Sequence, residues 1–263
     1  MISDARATFR ELHRSGTFVL PNPFDAGSAR LLQSLGAKAL ATTSSGFAAT
    51  LGREDQSVTA DELIAHVRAL THAVTVPVAV DAERGYADDP QGVAAVVEAL
   101  AEAGASGISI EDYDPTADAI EPVARAAERI AAAAEVCARH GMVLTGRSEN
   151  HLYGVADLDD TIARLRTYAE AGATCVYAPG LTNLDDIRRL TSAMDVPVNV
   201  LALHDGPSVP ELAGAGVRRV STGGSLTWAA YGGLVAAATE LLERGTLKPR
   251  ESSPFPGTDD MLK

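Results

Sequence analysis

"AGASGISIED" (residues 103–112) is the clearest copy of an entry through which the chain repeatedly passes from a helical stretch into a buried strand. Related entries stand at residues 35–40 ("LGAKAL"), 171–178 ("AGATCVYA") and 213–220 ("AGAGVRRV"). In each of them a glycine follows the helical stretch, and glycine ends helices readily because it adopts the left-handed conformation at little cost. The repetition predicts a chain of alternating helices and strands.

Eight short β-branched runs follow this plan, each leading into a polar loop and then into an alanine-rich helical stretch. Continuous apolar strands in βα units indicate a parallel sheet covered on both faces, and eight such units indicate a closed barrel. A doubly wound open sheet is the alternative, but no G-x-G-x-x-G fingerprint follows the first strand. The runs cover residues 17–21, 38–44, 76–81, 107–112, 142–148, 175–180, 196–201 and 217–223.

We therefore predict a single α/β domain, because no Pro/Ser-rich linker divides the chain. The domain is a (β/α)8 TIM barrel over residues 1–245 that starts with an N-terminal helix. A proline-punctuated tail over residues 246–263 forms a C-terminal helical or irregular extension.

The composition favours a cytoplasmic protein that acts on small molecules. The 263 residues carry a formal net charge of −13, so a polyanion such as nucleic acid would meet a repulsive surface. No stretch approaches the roughly 20 apolar residues that span a bilayer. The two cysteines, Cys137 and Cys175, are too few for a disulfide framework or a zinc cage. We expect neither a nucleic-acid partner nor a membrane partner.

Three acids stand at the ends of two neighbouring predicted strands, where a barrel carries its active groups. Asp81 ends the third run and Glu83, two residues on, faces the same way if the chain stays extended, while Glu111 stands at the end of the fourth run. A hard divalent cation relieves the repulsion between converging carboxylates, so these acids predict a Mg²⁺ or Mn²⁺ site. The alternative is a helix cap at Asp81, solvated charge at Glu83, and an ion pair between Glu111 and Arg84 or Arg147.

Arg147, in the fifth run, supplies the local attraction for an anion that the acidic surface lacks. A guanidinium can donate two parallel hydrogen bonds to a carboxylate or a phosphate. The alternative is an arginine that bridges Glu111 and Glu149 without contacting a ligand. After the second run, "TTSSGFAATLG" (42–52) is rich in small residues, and Gly46 would let backbone amides approach a second anionic oxygen.

Taken in order, these motifs resemble the isocitrate lyase and phosphoenolpyruvate mutase superfamily. The match extends from "LPNPFDAGSARLL" (20–32) through "VPVAVDAERGYAD" (76–88), "AGASGISIED" and "GRSEN" (146–150) to "GVRRVSTGGSL" (216–226), almost the whole chain. The resemblance implies a TIM barrel that forms a homo-oligomer, a dimer or tetramer, usually with a terminal helix exchanged between subunits. It also implies a Mg²⁺-bound 2-oxo acid or enolate at the barrel mouth.

The resemblance carries site residues over to this chain by position. The substrate-binding residues are Ser45, Gly46, Phe47 and Arg147. The metal-binding acids are Asp81, Glu83 and Glu111. Asp55 matches an acid that reaches the metal through water, and Tyr86 is expected near the ligand because it directly follows Gly85. The candidate catalytic residues are therefore Arg147, Asp55 and Tyr86.

Two departures from the family bear on the chemistry. Its D-x-D-[ST]-G-Y-G motif reads "DAERGYA" (81–87), so Glu83 adds a methylene to one ligand and Arg84 replaces a small hydroxyl residue. The Lys-x-Cys-Gly-His gating loop of the lyases, and the Lys and Asn of the mutases, are absent from "EDYDPTADAIEP" (111–122). The usual acid and the phosphonate-handling groups are therefore missing.

The reaction expected of such a site is Mg²⁺-dependent cleavage of a carbon–carbon bond in a small 2-oxo dicarboxylate of the oxaloacetate type. Decarboxylation or retro-aldol cleavage leaves an enolate that a chelated metal stabilises as a Lewis acid. Two alternatives stay open. One is phosphonopyruvate mutase or hydrolase chemistry, and the other is a barrel that binds a 2-oxo acid without turning it over.

Overall fold

Eight parallel strands form the wall of a barrel in the computed structural model, which describes residues 2–247, and two short strands form a separate hairpin. In chain order the strands are β1 (Phe18–Leu20), β2 (Leu40–Ala41), β3 (Val78–Asp81), β4 (Gly107–Glu111), β5 (Tyr113–Asp114), β6 (Ala119–Ile120), β7 (Val143–Arg147), β8 (Cys175–Tyr177), β9 (Val198–Leu201) and β10 (Arg219–Ser221). Around the wall their order is β1, β10, β9, β8, β7, β4, β3, β2. The amide of Ala41 donates to the carbonyl of Pro21 (3.2 Å) and so joins β2 to the end of β1. Each of the eight predicted runs contains one wall strand, and the predicted TIM barrel is confirmed.

Ten helices connect and cover these strands in the described part of the chain. They are α1 (Ile2–Leu12), α2 (Ala26–Ser34), α3 (Ser44–Thr50), α4 (Ala60–Ala73), α5 (Pro90–Glu102), α6 (Val123–His140), α7 (Leu158–Glu170), α8 (Leu184–Ala193), α9 (Val209–Gly214) and α10 (Ser225–Arg244). Local sequence sets their starts. At α5 the Asp89 carboxylate accepts a hydrogen bond from the amide of Gly92 (2.8 Å) and Pro90 opens the first turn, while Thr59 and Glu62 cap α4 reciprocally.

The glycine of the repeated entry ends the helices as the sequence predicts. Gly104 after α5 has φ +98° and Gly172 after α7 has φ +107°, both in the left-handed region. A Cβ at Gly172 would lie 2.6 Å from the Cβ of Ala134 on α6, so space as well as φ requires glycine there. The entry therefore sets both the turn and the close packing of neighbouring helices.

Apart from β1, the wall strands are buried on both faces, which explains why their sequences are continuously apolar rather than alternating. Val80, Ile108, Leu144 and Val200 are each exposed by 1% or less. The helices cover the outside of the wall, and inward-pointing side chains fill its interior. Chemistry is therefore confined to the rims, where the strands end in polar residues.

Helix α1 closes the floor of the barrel, at the amino-terminal ends of the strands. Phe9 lies so close to Gly107 at the start of β4 that a Cβ there would be 2.7 Å from the phenylalanine ring. His13, just after α1, packs edge-on against Phe18 with ring centroids 5.1 Å apart. Its Nδ1 lies 2.8 Å from the Phe9 carbonyl and its Nε2 lies 3.2 Å from Nη1 of Arg219 on β10.

Helix α10 stands largely clear of the barrel. Thr227 is its one buried residue within the described range, whereas Leu234 is 65% exposed and Leu242 is 85% exposed. The outer face of β1, which an eighth barrel helix would cover, is also open, with Val19 43% exposed and Leu35 beside it 71% exposed. The described residues, 2–247, thus leave two apolar surfaces uncovered.

The predicted boundary at residue 245 remains a prediction. Helix α10 ends at Arg244 and Gly245 follows with φ +66°, so the chain leaves the helix where the boundary was set. Most of the predicted tail, residues 248–263, lies outside the described residues. No helix within residues 2–247 is both long and apolar enough to cross a membrane.

The buried His13 makes stability depend on pH. Burial, with the charge of Arg219 as the next cause, lowers the pKa of His13 to about 3, whereas an unfolded histidine titrates near 6.5. Below that pH the unfolded chain binds a proton that the folded chain does not, so the unfolding free energy falls as pH drops from about 6.5 towards 3. When the pH falls from 7 to 5, the unfolding free energy of the parent should therefore drop by about 1–2 kcal/mol more than that of His13→Gln, as measured by urea unfolding. An equal loss in both proteins would contradict this, and His204→Gln, at an exposed position, is the control.

Candidate active site at the barrel mouth

The ends of three neighbouring strands bring the predicted polar residues to one rim. Strand β3 ends at Asp81, β4 at Glu111 and β7 at Arg147. In the sheet register Asp81 stands beside Ser109, and Glu111 stands directly beside Arg147. The carboxyl ends of parallel barrel strands form the mouth in which active sites lie.

Arg147 is the centre of this cluster. Its Nη1 lies 3.4 Å from Oε2 of Glu111 and 3.6 Å from Oδ2 of Asp81, and its Nη2 lies 3.1 Å from Oε2 of Glu149, whose other oxygen accepts from Nε. The guanidinium also sits 5.2 Å from the ring centre of Tyr177. The predicted approach of Asp81, Glu111 and Arg147 is therefore seen. The bridge from Arg147 to Glu111 and Glu149, considered above as the alternative, is present as well.

Glu83 reaches the same region by a different path from the one expected. Strand β3 stops at Asp81, and Glu83 has φ +46°, so the expectation that extended backbone continues to Glu83 is wrong. The chain turns there, with the Gly85 amide bonded to the Ala82 carbonyl (2.8 Å), and the Glu83 amide approaches Oδ1 of Asp81 (3.4 Å). The carboxyl is nevertheless buried beside the other acids.

The cluster contains several acids around the guanidinium of Arg147, and the pKa values of its glutamates are raised. Burial, followed by the charge of Asp81, raises the pKa of Glu83 to about 8. Burial likewise raises the pKa of Glu111 well above its ordinary value, with Glu149 and Asp81 adding to the rise and Arg147 opposing it. Burial also raises the pKa of Glu149. A cluster of this kind favours any ligand that brings positive charge.

The same cluster offers the oxygen donors that a hard divalent cation takes. Oε1 of Glu83 is buried without a hydrogen-bond partner, and an orphaned acceptor of this kind fits a cation. Within residues 2–247, however, no three acid, histidine or cysteine side chains are grouped closely enough to hold an ion as they stand. The residue types fit Mg²⁺ or Mn²⁺, whereas the present arrangement has the guanidinium of Arg147 between Asp81 and Glu111.

The turn of Ser45, Gly46 and Phe47 forms the start of α3. Thr43 caps the helix, and its Oγ1 lies 3.3 Å from both the Gly46 amide and the Ser45 hydroxyl. A Cβ at Gly46 would collide with Thr227 of α10 and with Thr43, so this glycine makes room for the packing of α10. The close approach expected of Gly46 is therefore to a neighbouring helix. The Phe47 amide is bonded to the Thr43 carbonyl (2.9 Å), and its ring is stacked on His66 with centroids 3.8 Å apart.

Asp55 and Gln56 overhang the mouth from the loop after α3. The Asp55 residue is exposed as a whole, yet desolvation of its carboxyl, followed by the charge of Asp81, raises its pKa. Gln56 was not anticipated from the sequence. It adopts φ +62°, its Nε2 donates to Oε1 of Glu111 (3.0 Å), and its own Oε1 is buried without a partner. No sequence pattern marks a glutamine for the left-handed region, so this contact could not have been found beforehand.

Strands β5 and β6 form a hairpin where the lyases carry their gating loop. Arg84 ties the hairpin down through Asp114 (3.7 Å) and Glu121 (3.1 Å), and Glu121 is bonded in turn to the buried Arg129 (3.0 Å). The Tyr113 ring stacks on Tyr153 with centroids 3.6 Å apart. Arg84, which stands where the family motif has a small hydroxyl residue, thus bonds the hairpin and none of the acids around Arg147.

Tyr86 lies beside Glu83 at the side of the cluster. It has φ +58°, and its side chain is partly buried against the apolar core. Burial, followed by the charge of Glu83, raises the pKa of its hydroxyl. The structure therefore places Tyr86 where it can hold Glu83. Asn199, whose direction the sequence leaves open, points into the barrel interior and bonds the Ser221 hydroxyl (2.9 Å).

Known proteins share this architecture. The family model described as phosphoenolpyruvate phosphomutase matches residues 9–242. The crystal structure of a lyase/mutase candidate from Burkholderia cenocepacia J2315 superposes with a TM-score of 0.93 at 44% identity, covering 98% of this chain and 95% of that one. The 2-methylisocitrate lyase of Escherichia coli K12 is 29% identical over 206 residues, 74% of this chain and 69% of that protein.

A second enzyme extends the comparison. The oxaloacetate decarboxylase of Bradyrhizobium sp. BTAi1 is 31% identical over 183 residues, which are 66% of this chain and 62% of that protein. The family model spans most of this chain. The chain therefore belongs to the phosphoenolpyruvate phosphomutase family, within the isocitrate lyase and phosphoenolpyruvate mutase superfamily.

Proposed function

We propose that this protein is a Mg²⁺-dependent carbon–carbon lyase acting on a small 2-oxo dicarboxylate of the oxaloacetate type. The observation that carries the proposal is the single guanidinium of Arg147 set among Asp81, Glu111 and Glu149 at the barrel mouth. The similarity to an oxaloacetate decarboxylase and to a 2-methylisocitrate lyase supports a lyase. The two cysteines are buried and unpaired, which fits the reducing compartment of a cytoplasmic enzyme.

Asp81, Glu83 and Glu111 would hold the cation, Mg²⁺ or Mn²⁺. When bound, the ion would supply a Lewis acid that draws negative charge from the reacting 2-oxo group. Tyr86 would donate a hydrogen bond to the neighbouring Glu83 carboxyl, and Asp55 would orient water at the edge of the site. The charge of a bound cation would oppose the rise in the pKa of Glu83 and of Glu111.

Arg147 would bind the substrate carboxylate and hold it against the acids. Its guanidinium already contacts three protein carboxylates, and a substrate carboxylate would take the place of one of them. The Ser45 hydroxyl and the amides at the start of α3 would bind a second carboxylate oxygen. In a buried site such fixed donors favour the charge that develops during bond cleavage.

The hairpin of β5 and β6 limits which groups could transfer protons in the reaction. It carries no Lys, Cys or His, and its ties to Arg84 hold it in one place. Decarboxylation suits this arrangement because CO₂ leaves without a protein base, and water could then protonate the enolate carbon. Retro-aldol cleavage needs a group to take the hydroxyl proton, and the buried carboxyls beside Arg147 are the candidates.

The metal site can be tested through stability alone. At about 100 times its dissociation constant Mg²⁺ should stabilise the parent by about 2.7 kcal/mol, or roughly 5–10 °C in Tm. Glu83→Gln should abolish most of that shift because it removes the charge of a predicted ligand. Glu102→Gln, on the exposed end of α5, is the control and should respond like the parent. Thermal unfolding with and without Mg²⁺ gives the answer, and an unchanged response of Glu83→Gln would contradict the assignment.

The activity test uses oxaloacetate and 4-hydroxy-2-oxo acids. We expect turnover that EDTA removes and Mg²⁺ restores, and a fall in kcat/KM of about 100-fold in Arg147→Lys because a lysine lacks the two-pronged donor. Arg188→Lys, on the exposed face of α8, should leave kcat/KM unchanged. No conversion above the metal-only background would refute the proposal.

The other two readings of the site are outcomes of the same series. Phosphorus NMR of a phosphonopyruvate incubation would reveal phosphorus–carbon bond chemistry. Calorimetry with 2-oxoglutarate or oxalate would reveal tight binding without turnover. Either result, in the absence of carbon–carbon cleavage, would replace the lyase assignment.

We also propose that the protein is a homo-oligomer in which α10 covers the open face of β1 on a second copy. The exposed Leu234 and Leu242 on α10 match the exposed Val19 and Leu35 in chemistry, and no part of residues 2–247 covers either surface. Leu242→Glu should lower the molar mass measured by light scattering towards that of one chain. Ala131→Glu, on the exposed face of α6, should not, and a monomeric parent would overturn the idea.

A further inference from the structure

Arg219 is a cation buried in the interior of the barrel, well below the mouth. It is 5% exposed and begins β10, from which its side chain crosses the interior towards β7. Its Nε donates to Oδ1 of Asn199 (2.9 Å) and its Nη2 to Oγ1 of Thr145 (3.0 Å), while Nη1 faces Nε2 of His13 (3.2 Å). The guanidinium is thus held on three sides by different parts of the fold.

All three partners of Arg219 are neutral. Asn199 and Thr145 carry no charge, and the lowered pKa of His13 keeps its imidazole uncharged at ordinary pH. Within residues 2–247, no carboxylate lies within 4.0 Å of the guanidinium. A buried charge without a counter-charge is costly, by several kcal/mol even after relaxation.

Other buried arginines of the chain are compensated. Arg129 is bonded to the Glu121 carboxylate, and Arg147 is bonded to Glu149. Arg6 donates to the Ala101 and His140 carbonyls in the last turns of α5 and α6, where helix dipoles concentrate negative charge. Arg219 has no such arrangement, and a guanidinium with five N–H donors has two left after the three contacts described.

A cavity of about 60 Å³ lies against this guanidinium. Phe9 of α1 bounds it below, Asn199 and Ser221 line its side, and Asp81 with Arg147 bounds it above. This volume counts only positions open to the centre of a water molecule, and about 10–15 Å³ of it holds one water, so the cavity admits a small ion together with water. The acids at its upper end would also repel a multiply charged anion.

We propose that this cavity binds a small monovalent anion, chloride in the test described below, as the missing counter-charge of Arg219. The anion would accept hydrogen bonds from the unused N–H groups of the guanidinium. The Ser221 hydroxyl lies in the same cavity wall. The anion would lie at the Arg219 end of a cavity whose other end is bounded by Asp81 and Arg147 of the proposed metal and substrate site, and the proposal does not depend on the lyase assignment. The role of the anion is to neutralise the interior beneath the mouth.

The first experiment titrates the full-length protein with sodium chloride, replacing sodium gluconate at constant ionic strength so that only the small anion changes. Gluconate is too large for the cavity. A ligand that binds the folded state alone raises Tm with its concentration. We expect a saturable rise of Tm with chloride, and in crystals soaked with sodium bromide an anomalous peak within hydrogen-bond distance of the Arg219 guanidinium.

The second experiment supplies the counter-charge from the protein. Asn199→Asp keeps the size of the side chain and places a carboxylate beside Nε of Arg219. It should raise Tm in gluconate and abolish the chloride dependence. Asn183→Asp, at the exposed start of α8, is the matched control and should keep the chloride dependence of the parent. Arg219→Met should lose both the chloride dependence and the bromide peak.

The outcomes separate the proposal from a simple hydrated cavity. A parent Tm indifferent to chloride, or bromide found only on the surface while water fills the cavity, would overturn it. A chloride dependence that survives in Asn199→Asp would overturn it too. If the Asn199 or Arg219 variants do not fold, the parent's titration and bromide diffraction still decide the matter.

Discussion

Arg147 faces more carboxylates than one cation can neutralise, and the geometry of the mouth follows from that imbalance. Its guanidinium lies against Asp81, Glu111 and Glu149, while burial and mutual repulsion raise the pKa values of the glutamates. Removing Arg147 would leave three carboxylates at the mouth without their shared cation. The barrel tolerates the cluster because eight strands, joined along their length, fix the rim on which it stands.

The barrel could be predicted because short, repeated stretches of sequence determine its alternating helices and strands. Glycine after several of the helices, together with eight continuous apolar runs, leaves few topologies, and a parallel wall of eight satisfies them. The rim residues followed from the same reasoning, since Asp81, Glu111 and Arg147 occupy strand ends. Whether the chain stays extended beyond a strand is a different matter, and at Glu83 the backbone turns into the left-handed region instead.

Several site features could not be read from the sequence because tertiary contacts create them. Gln56 contacts Glu111 only because the loop after α3 folds over the mouth. Gly46 is required by Thr227, which lies 181 residues further along the chain by position. Arg219 and Asn199 sit in strands buried on both faces, where the alternation of a strand does not tell which side is the interior. The hairpin at Tyr113 is held by Arg84, and nothing in the sequence around Arg84 indicates that contact.

The contact between Gly46 and Thr227 has a consequence for how the molecule works as a unit. The first turn of α10 rests on the turn that begins α3, and Gly224 just before α10 lies against the Ser45 hydroxyl and the Trp228 ring. The remaining length of α10 projects from the barrel with its apolar side chains uncovered. A surface that packed against that helix would therefore also restrict the movement of the α3 turn that carries Ser45, so a contact made far out along α10 would be felt at the rim.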